Sequence, residues 1–240
     1  MPEPSTVVFL DFDGTVTLRD ATDAILEAFA DPAWLEIEDA WLSGRIGSRE
    51  CLTRQMALVS ATRDRVDHLL DEIGVDPGFA MLLETCAARA VPVHIVSDGF
   101  DYCIDRILGR PDLKMLAGLT DSHIVSSRLR PDGRRWSAIF EHPPTACAHG
   151  CATCKPAAMD RLTVAGAVTV FVGDGMSDQY AAARADVVFA KDKLAAFCDA
   201  SAILYSPYDT LAAVAKGIDR LPGIGPPPRP SFPGKAVRVV

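Results

Sequence analysis

The chain has 240 residues, 49% of them apolar, and a net charge of −8. A chain of this length buries roughly 70–75% of its unfolded surface and needs no disulfide staples. The acidic balance excludes a nucleic-acid partner, because phosphate backbones are gripped by clustered Lys and Arg. It does not exclude a small phosphorylated ligand, since one cation in a cleft reverses the local sign. No apolar run reaches the ~18 residues of a membrane helix. Met1-Pro2-Glu3-Pro4 lacks the basic start and apolar stretch of a signal peptide. A cytoplasmic location with no membrane partner is expected, and the oligomeric state stays open.

In chain order, Thr6–Leu10 is a short apolar run that predicts the first strand. Ala21–Phe29, Ala33–Leu42, Arg49–Val59, Arg63–Ile73 and Phe79–Ala90 then carry apolar residues at helical spacing. They predict a helical cap, residues 17–90, inserted after that strand. Val91–Val96 predicts the second strand and Asp101–Leu108 a helix. His123–Leu129 and Trp136–Phe140 flank the turn signal Arg130-Pro131-Asp132-Gly133, which predicts a hairpin. Helical segments Pro156–Val164, Ser177–Ala185, Lys191–Ala200 and Thr210–Lys216 alternate with the apolar runs Val168–Val172, Val187–Ala190 and Ala202–Tyr205. Strands buried on both faces are apolar throughout, as in a parallel sheet covered by helices. The fold class is therefore α/β, a doubly wound parallel sheet. Its core is 1–16 and 91–220, with the hairpin and a Cys-rich loop at 121–154. The Pro- and Gly-rich tail, 221–240, is expected to lack regular structure.

Ligands of such sheets bind beyond the carboxyl ends of the strands. After the first strand stands Asp11-Phe12-Asp13-Gly14-Thr15. Two carboxylates two residues apart on extended chain point the same way. One can attack phosphorus and the other can move the leaving-group proton. Ser97-Asp98-Gly99 follows the second strand, where a hydroxyl and backbone N–H groups make a phosphate cradle, or only an ordinary helix cap. Lys155, followed by Pro156, opens a helix and can neutralise phosphoryl oxygens. Gly173-Asp174-Gly175-Met176-Ser177-Asp178 supplies two carboxylates of the kind Mg²⁺ prefers. Together these are the parts of phosphoryl transfer: nucleophile, acid, oxygen donors, cation and metal.

In this set of motifs the sequence resembles the haloacid-dehalogenase superfamily over about Thr6 to Ala190. The resemblance implies a Rossmann-like core, a required Mg²⁺, Asp11 as nucleophile and Asp13 as acid/base. It implies that Asp11, the Asp13 backbone carbonyl and Asp174 hold the metal, supported by Asp178, with Ser97 and Lys155 on the phosphate. The insert resembles the small cap of the phosphoserine-phosphatase branch. Within it, Trp34 and Trp41, the Cys-rich stretch running into Lys155-Pro156, and Asp186–Leu194 look closest to the methionine-salvage phosphatases of 2-hydroxy-3-keto-5-methylthiopentenyl-1-phosphate. Many relatives carry Ser-Gly-Gly where this chain has Ser97-Asp98-Gly99. Phosphoserine phosphatases grip their substrate with a cap acid and a cap Arg. Asp20 matches the acid, and Thr53, Arg54 and Gln55 surround the Arg position. Asp20, Asp98 and Gly99 are thus candidate substrate contacts, and phosphoserine is the alternative substrate. Phe29, Trp34, Trp41 and Met56 read as cap core before pocket lining.

Of seven cysteines, Cys51, Cys86, Cys103 and Cys198 are scattered and read as small core residues. Cys147, Cys151 and Cys154 fall in a Cys-x₃-Cys-x₂-Cys pattern near His142 and His149. They allow a structural Zn²⁺ bracing the Lys155 loop, an iron–sulfur site that the surrounding motifs disfavour, or free thiols. Against the phosphomonoesterase stand two other classes: a zinc-stabilised binding module without catalysis, and phosphotransfer to a second acceptor.

Overall fold

The structure is a computed structural model that describes residues 6–116, 123–140 and 147–221. His142 and the tail beyond 221 lie outside the described residues. Seven strands form one sheet: β1 Thr6–Leu10, β2 Val93–Phe100, β3 Ile124–Asp132, β4 Arg135–Ile139, β5 Val168–Gly173, β6 Val187–Ala190 and β7 Ser206–Pro207. Their spatial order is β4-β3-β2-β1-β5-β6-β7. All neighbours are parallel except β3 and β4, the predicted hairpin, which forms one edge of this same sheet.

The helices are α1 Ala21–Phe29, α2 Trp34–Leu42, α3 Ser48–Met56, α4 Arg63–Asp71, α5 Phe79–Ala88, α6 Asp101–Leu108, α7 Lys155–Leu162, α8 Gln179–Ala182, α9 Asp192–Ser201 and α10 Leu211–Asp219. Strand alternation sends Val8, Leu10, Val170 and Val172 to one face, against α5, α6 and α10. It sends Val7, Phe9 and Phe171 to the other, against Ala158, Met159, Ala182, Leu194 and Cys198 of α7, α8 and α9. Both faces are dry, which is why β1 and β5 read as unbroken apolar runs. Cys51, Cys86, Cys103 and Cys198 are buried and free. Among the described residues no helix is long and apolar enough to cross a membrane.

Helices α1 to α4 form the insert. Its neck is a short antiparallel contact: Thr17 bridges Val75, Leu18 N–H donates to the Gly74 carbonyl (2.9 Å), and Asp76 N–H donates to that of Val16 (2.8 Å). Helix α5, expected within the insert, packs instead on α10, where an added Cβ on Gly78 would meet the Ala212 nitrogen at 2.1 Å. The insert leans on the core: Arg106 of α6 makes a forked pair with Asp71 of α4, and the Trp136 indole N–H donates to the Ala61 carbonyl (2.9 Å).

Three local expectations differ. Ala202–Tyr205 is not a strand; Ala202 adopts φ +55° to cap α9, Leu204 is exposed, and the edge strand β7 is only two residues long. The predicted helix Ser177–Ala185 is a 3₁₀ turn, Met176–Asp178, running into the short α8, because Asp178 turns back to hold its own loop. The hairpin turn is one step later than its sequence signal, at Gly133-Arg134, with Gly133 at φ +62°.

Asp76 is 3% exposed and accepts N–H bonds from Gly78 (2.7 Å) and Leu211 (3.2 Å), joining the insert's return to the start of α10. Asp76→Ala leaves both donors buried without a partner. A loss of about 2–3 kcal/mol is expected from urea unfolding, and a midpoint equal to that of the unmodified chain contradicts this account.

Candidate active site

Asp11 leaves β1 with its N–H on the Val172 carbonyl of β5 (2.9 Å), and it is buried. Asp13 Oδ1 accepts the Ala21 N–H (2.8 Å), so the first turn of α1 aims this carboxylate. Gly14 sits between them and the metal loop at φ +74°, and a Cβ there would fall 2.4 Å from Asp174 Oδ2. Only glycine meets both constraints. Ser97-Asp98-Gly99 does not follow β2 but lies within it, where the register against β3 shifts between Val96 and Phe100. A register shift of this kind re-aims the side chains of the strand that carries it. Ser97 Oγ accepts the Gly99 N–H (2.9 Å), and a Cβ on Gly99 would press on Asp13 Oδ2 at 2.2 Å.

Lys155 opens α7 with its side chain 1% exposed. Its Nζ lies 2.8 Å from Asp11 Oδ1 and 2.5 Å from Asp178 Oδ1, and donates to Ser177 Oγ (3.3 Å). Asp178 is fully buried, and its Oδ2 accepts the N–H groups of Asp174 and Gly175, each at 3.0 Å. Thr15 Oγ1 donates to Asp174 Oδ1 (2.6 Å), and the Tyr208 hydroxyl backs this pair from 3.3 Å while donating to the Gly173 carbonyl.

Burial pushes the Asp11 carboxyl well above the usual range, and the Asp178 charge adds to it while Lys155 opposes. Burial lifts Asp13 to about 7 against the Ala21 N–H bond, and lifts Asp174 to about 6 with help from Asp178. Asp20 is raised well above its ordinary value by burial and by the charges of Asp13 and Asp23. Burial alone would lower Lys155; Asp11, Asp178 and Asp98 outweigh it and hold the ammonium charged. The site thus has more negative charge than its one buried lysine balances.

Oxygens of Asp11, Asp174 and Asp178 all lie within 4.8 Å of one another. Hard oxygen donors at this separation fit Mg²⁺. Asp13 Oδ1 accepts the Ala21 N–H and Oδ2 faces Gly99; the metal role that the resemblance implies for this residue falls to its backbone carbonyl. Above the carboxylates lies a cavity of about 400 Å³. Asp11, Asp13, Ser97, Asp98, Gly99 and Asp174 line it from the sheet, and Asp20, Glu38, Trp41, Cys51, Leu52 and Gln55 from the insert. Asp20 also caps α1 by accepting the Asp23 N–H (2.9 Å). Met56 is buried, and Phe29 and Trp34 pack on the core, as expected; Trp41 is instead a cavity wall.

Sequence reasoning missed Glu38 and named Gln55 only as a neighbour of the cap Arg position; their side chains bond to each other across α2 and α3 (Gln55 Nε2 to Glu38 Oε2, 2.9 Å). The signal was the four-residue spacing of Cys51 and Gln55 on one helix face. Tyr208 gave no signal, since its role depends on the return of α10.

Nothing among the described residues supports a zinc site in the cysteine loop. Among the described residues, the group close enough to share an ion is the aspartate trio, not Cys147, Cys151 and Cys154. Burial raises the Cys147 thiol, but the N–H groups of Cys151 and His149 and the two neighbouring thiols hold it below its ordinary value. The His149 ring is stacked on Tyr180 at 3.9 Å between centroids, and His142 lies outside the described residues.

A family model described as haloacid dehalogenase-like hydrolase matches residues 8–183. A protein of Brevibacillus brevis named 2-hydroxy-3-keto-5-methylthiopentenyl-1-phosphate phosphatase is 32% identical over 213 residues, covering 86% of this chain and 90% of its own. One of the same name from Geobacillus thermodenitrificans is 30% identical over 223 residues, covering 90% and 96%. The fold is similar to that of phosphoserine phosphatase from T. onnurineus, with a TM-score of 0.65 at 16% identity, covering 91% of this chain and 96% of that one.

Two outcomes follow from the charge imbalance. Mg²⁺ at about 100 times its dissociation constant should add about 2.7 kcal/mol to the stability of EDTA-treated protein, visible as a raised melting temperature. Asp174→Asn should lose most of that rise. Lys155→Met should cost on the order of 3–5 kcal/mol, because Asp11 and Asp178 are then buried without their cation; chemical unfolding without Mg²⁺ measures this.

Proposed function

We propose, from the premise that this chain belongs to the haloacid dehalogenase-like hydrolase family and is a phosphatase, that it hydrolyses a small, otherwise uncharged phosphomonoester through a phosphorylated Asp11. The substrate phosphate lies over Asp11, with Lys155 and the Ser97 hydroxyl on its oxygens. An Asp11 oxygen bonds to phosphorus as the bond to the leaving oxygen breaks, and Asp13 gives that oxygen its proton. Water then attacks phosphorus, returns a proton to Asp13, and frees Asp11 and inorganic phosphate. Mg²⁺, held by Asp11, Asp174, the Asp13 backbone carbonyl and Asp178, would offset charge on the phosphoryl oxygens. Helices α1 to α4 act as a cap that excludes bulk water and selects the leaving group.

The observation that carries the substrate reading is what stands at positions 54 and 55. Arg54 points outward, half exposed and paired with Glu50 (3.2 Å), while Gln55 is buried and lines the cavity. Among the described residues three cations line the cavity, and each faces an acid or a ring of this chain: Arg19 pairs with Glu27, Lys191 lies over the Tyr208 ring, and the Lys193 charge acts on Asp23 and Glu38. Asp20, Asp23 and Glu38 make the wall acidic. A carboxylate on the leaving group meets no fixed guanidinium there. Trp41, Leu52, Leu18 and Cys51 suit an apolar tail beside these polar groups. This favours a molecule such as the methionine-salvage enol phosphate of the named relatives over phosphoserine. The outward turn of Arg54, with Gln55 in its place on the cavity wall, is the ground for ranking phosphoserine second, and the non-catalytic binding module has no support.

Phosphate release over a panel of phosphomonoesters, with Mg²⁺ or EDTA, tests this. Activity should need both Mg²⁺ and Asp11, failing in Asp11→Asn. The enol phosphate should exceed phosphoserine in kcat/KM by at least about 100-fold, the discrimination expected when a charged group is left without its partner. Equal or better turnover of phosphoserine would reverse the assignment.

A further inference from the structure

Three stretches of chain that are remote in sequence meet at one small hydrogen-bonded knot beside the catalytic cavity. Ser48 is the first residue of α3, in the insert, and is 9% exposed. Its hydroxyl donates to Asp98 Oδ2 (2.6 Å) and accepts the Ala152 N–H (2.8 Å). A hydroxyl has one proton to donate and lone pairs to accept with, so both bonds can stand at once. The other Asp98 oxygen, Oδ1, accepts the Thr153 N–H (3.0 Å). The insert touches the same loop through its backbone, with the Arg49 N–H on the Gly150 carbonyl (3.1 Å) and the Arg49 guanidinium on that of Cys151 (3.1 Å). The approach is close enough that a Cβ on Gly47 would meet the Gly150 oxygen at 2.5 Å. Two residues beyond Thr153 stands Lys155, whose ammonium must reach Asp11 and Asp178 from the first turn of α7.

We infer that Ser48 and Asp98 are positioning residues: the Ser48–Asp98 pair, by fixing the backbone of Ala152 and Thr153, sets where Lys155 stands against Asp11. Neither side chain needs to touch the phosphoryl group for this. Ala152 and Thr153 are 5% and 8% exposed, so their N–H groups have little water to turn to if the pair is lost. The inference also gives a reason for the acid at position 98, where a glycine would leave Ser48 and Thr153 unconnected. Because it rests on the phosphatase reading, the test has to separate the two.

The full chain is assayed with Mg²⁺ for phosphate release and for inhibition by orthovanadate, as the unmodified protein and as Asp11→Asn, Ser48→Ala, Ser48→Thr, Asp98→Asn and the double variant Ser48→Ala/Asp98→Asn. Displacing Lys155 by about an ångström should lower kcat about 10- to 100-fold in Ser48→Ala. Vanadate affinity should fall with it, while KM and the Mg²⁺ needed for half-activation stay near their starting values. Ser48→Thr keeps the hydroxyl and should recover most of kcat. The double variant should be little worse than the more damaged single one, because both remove one connected set of bonds. Wild-type kcat and vanadate affinity in Ser48→Ala overturn the inference, as do additive losses, a folded Ser48→Thr without recovery, or a fall in Mg²⁺ affinity equal to that in kcat. Should Ser48→Ala not fold, Asp98→Asn, which keeps the side chain's size, decides by the same readouts. No activity in the unmodified protein, or full activity in Asp11→Asn, overturns the phosphatase reading and this inference with it. Activity that depends on Asp11 but not on Ser48 or Asp98 overturns the inference alone.

Discussion

A buried ammonium between two buried carboxylates is the constraint from which the site is built. Lys155, Asp11 and Asp178 are each 7% exposed or less at the side chain. Taking such groups out of water costs several kcal/mol per ion, and only good geometry with every remaining oxygen bonded offsets it. Asp178 meets that requirement at both of its oxygens. Asp178 accepts two backbone N–H groups besides the lysine, and Asp11 Oδ1 also accepts the Phe12 N–H (2.8 Å). Yet one lysine facing Asp11, Asp178 and nearby Asp174 leaves the cluster short of positive charge. Burial is the first cause of the upward displacement of Asp11 and Asp174, and the unbalanced charge of Asp178 adds to it. A site in this condition is poised to take a divalent cation and then an anion above it.

The sheet makes that geometry affordable. With both faces covered, β1 and β5 end side by side, and their register puts Leu10 beside Val172. Asp11 and Asp174 therefore emerge from neighbouring strands of a rigid layer, and α7 delivers Lys155 from below. The cavity's other wall belongs to the insert, whose neck is a pair of chain segments joined at Thr17 and Val75. The carboxylates thus stand on the sheet, and the wall that faces them across the cavity is the part attached by a narrow neck.

How legible this was depends on the range of the interaction. The strands β1 and β6 and the helices α1 and α6 have the ends their apolar patterns predict, and Asp11, Asp13, Asp174 and Lys155 stand where strand ends and a helix start place them. Local patterns carry that information. Asp98 was read as one more cradle residue, because its two partners are 50 and 55 residues away in sequence. Ser48 and Tyr208 were missed for the same reason. The cysteines mark another limit: their spacing matches a metal knuckle and the fold sets the Cys147 thiol beside those of Cys151 and Cys154, yet spacing alone does not say whether such neighbours hold an ion. Ala202–Tyr205 looked like a buried strand because apolar content alone does not distinguish a strand from the connector that closes a helix in the left-handed region.

The acid after Ser97 is the feature hardest to reconcile with an anionic substrate, and its surroundings resolve the conflict. A carboxylate beside a phosphate is repulsive, so Asp98 is tolerable only if its charge is directed elsewhere. Both of its oxygens are engaged away from Ser97, one by a hydroxyl and one by a backbone N–H. Burial raises its carboxyl, and Lys155, Ser48 and Thr153 draw it back. The same groups that make the acid harmless therefore bind the insert to the loop that carries the lysine. In a chain with glycine at this position the angle of the insert and the placement of the lysine could vary separately; here one carboxylate ties them together.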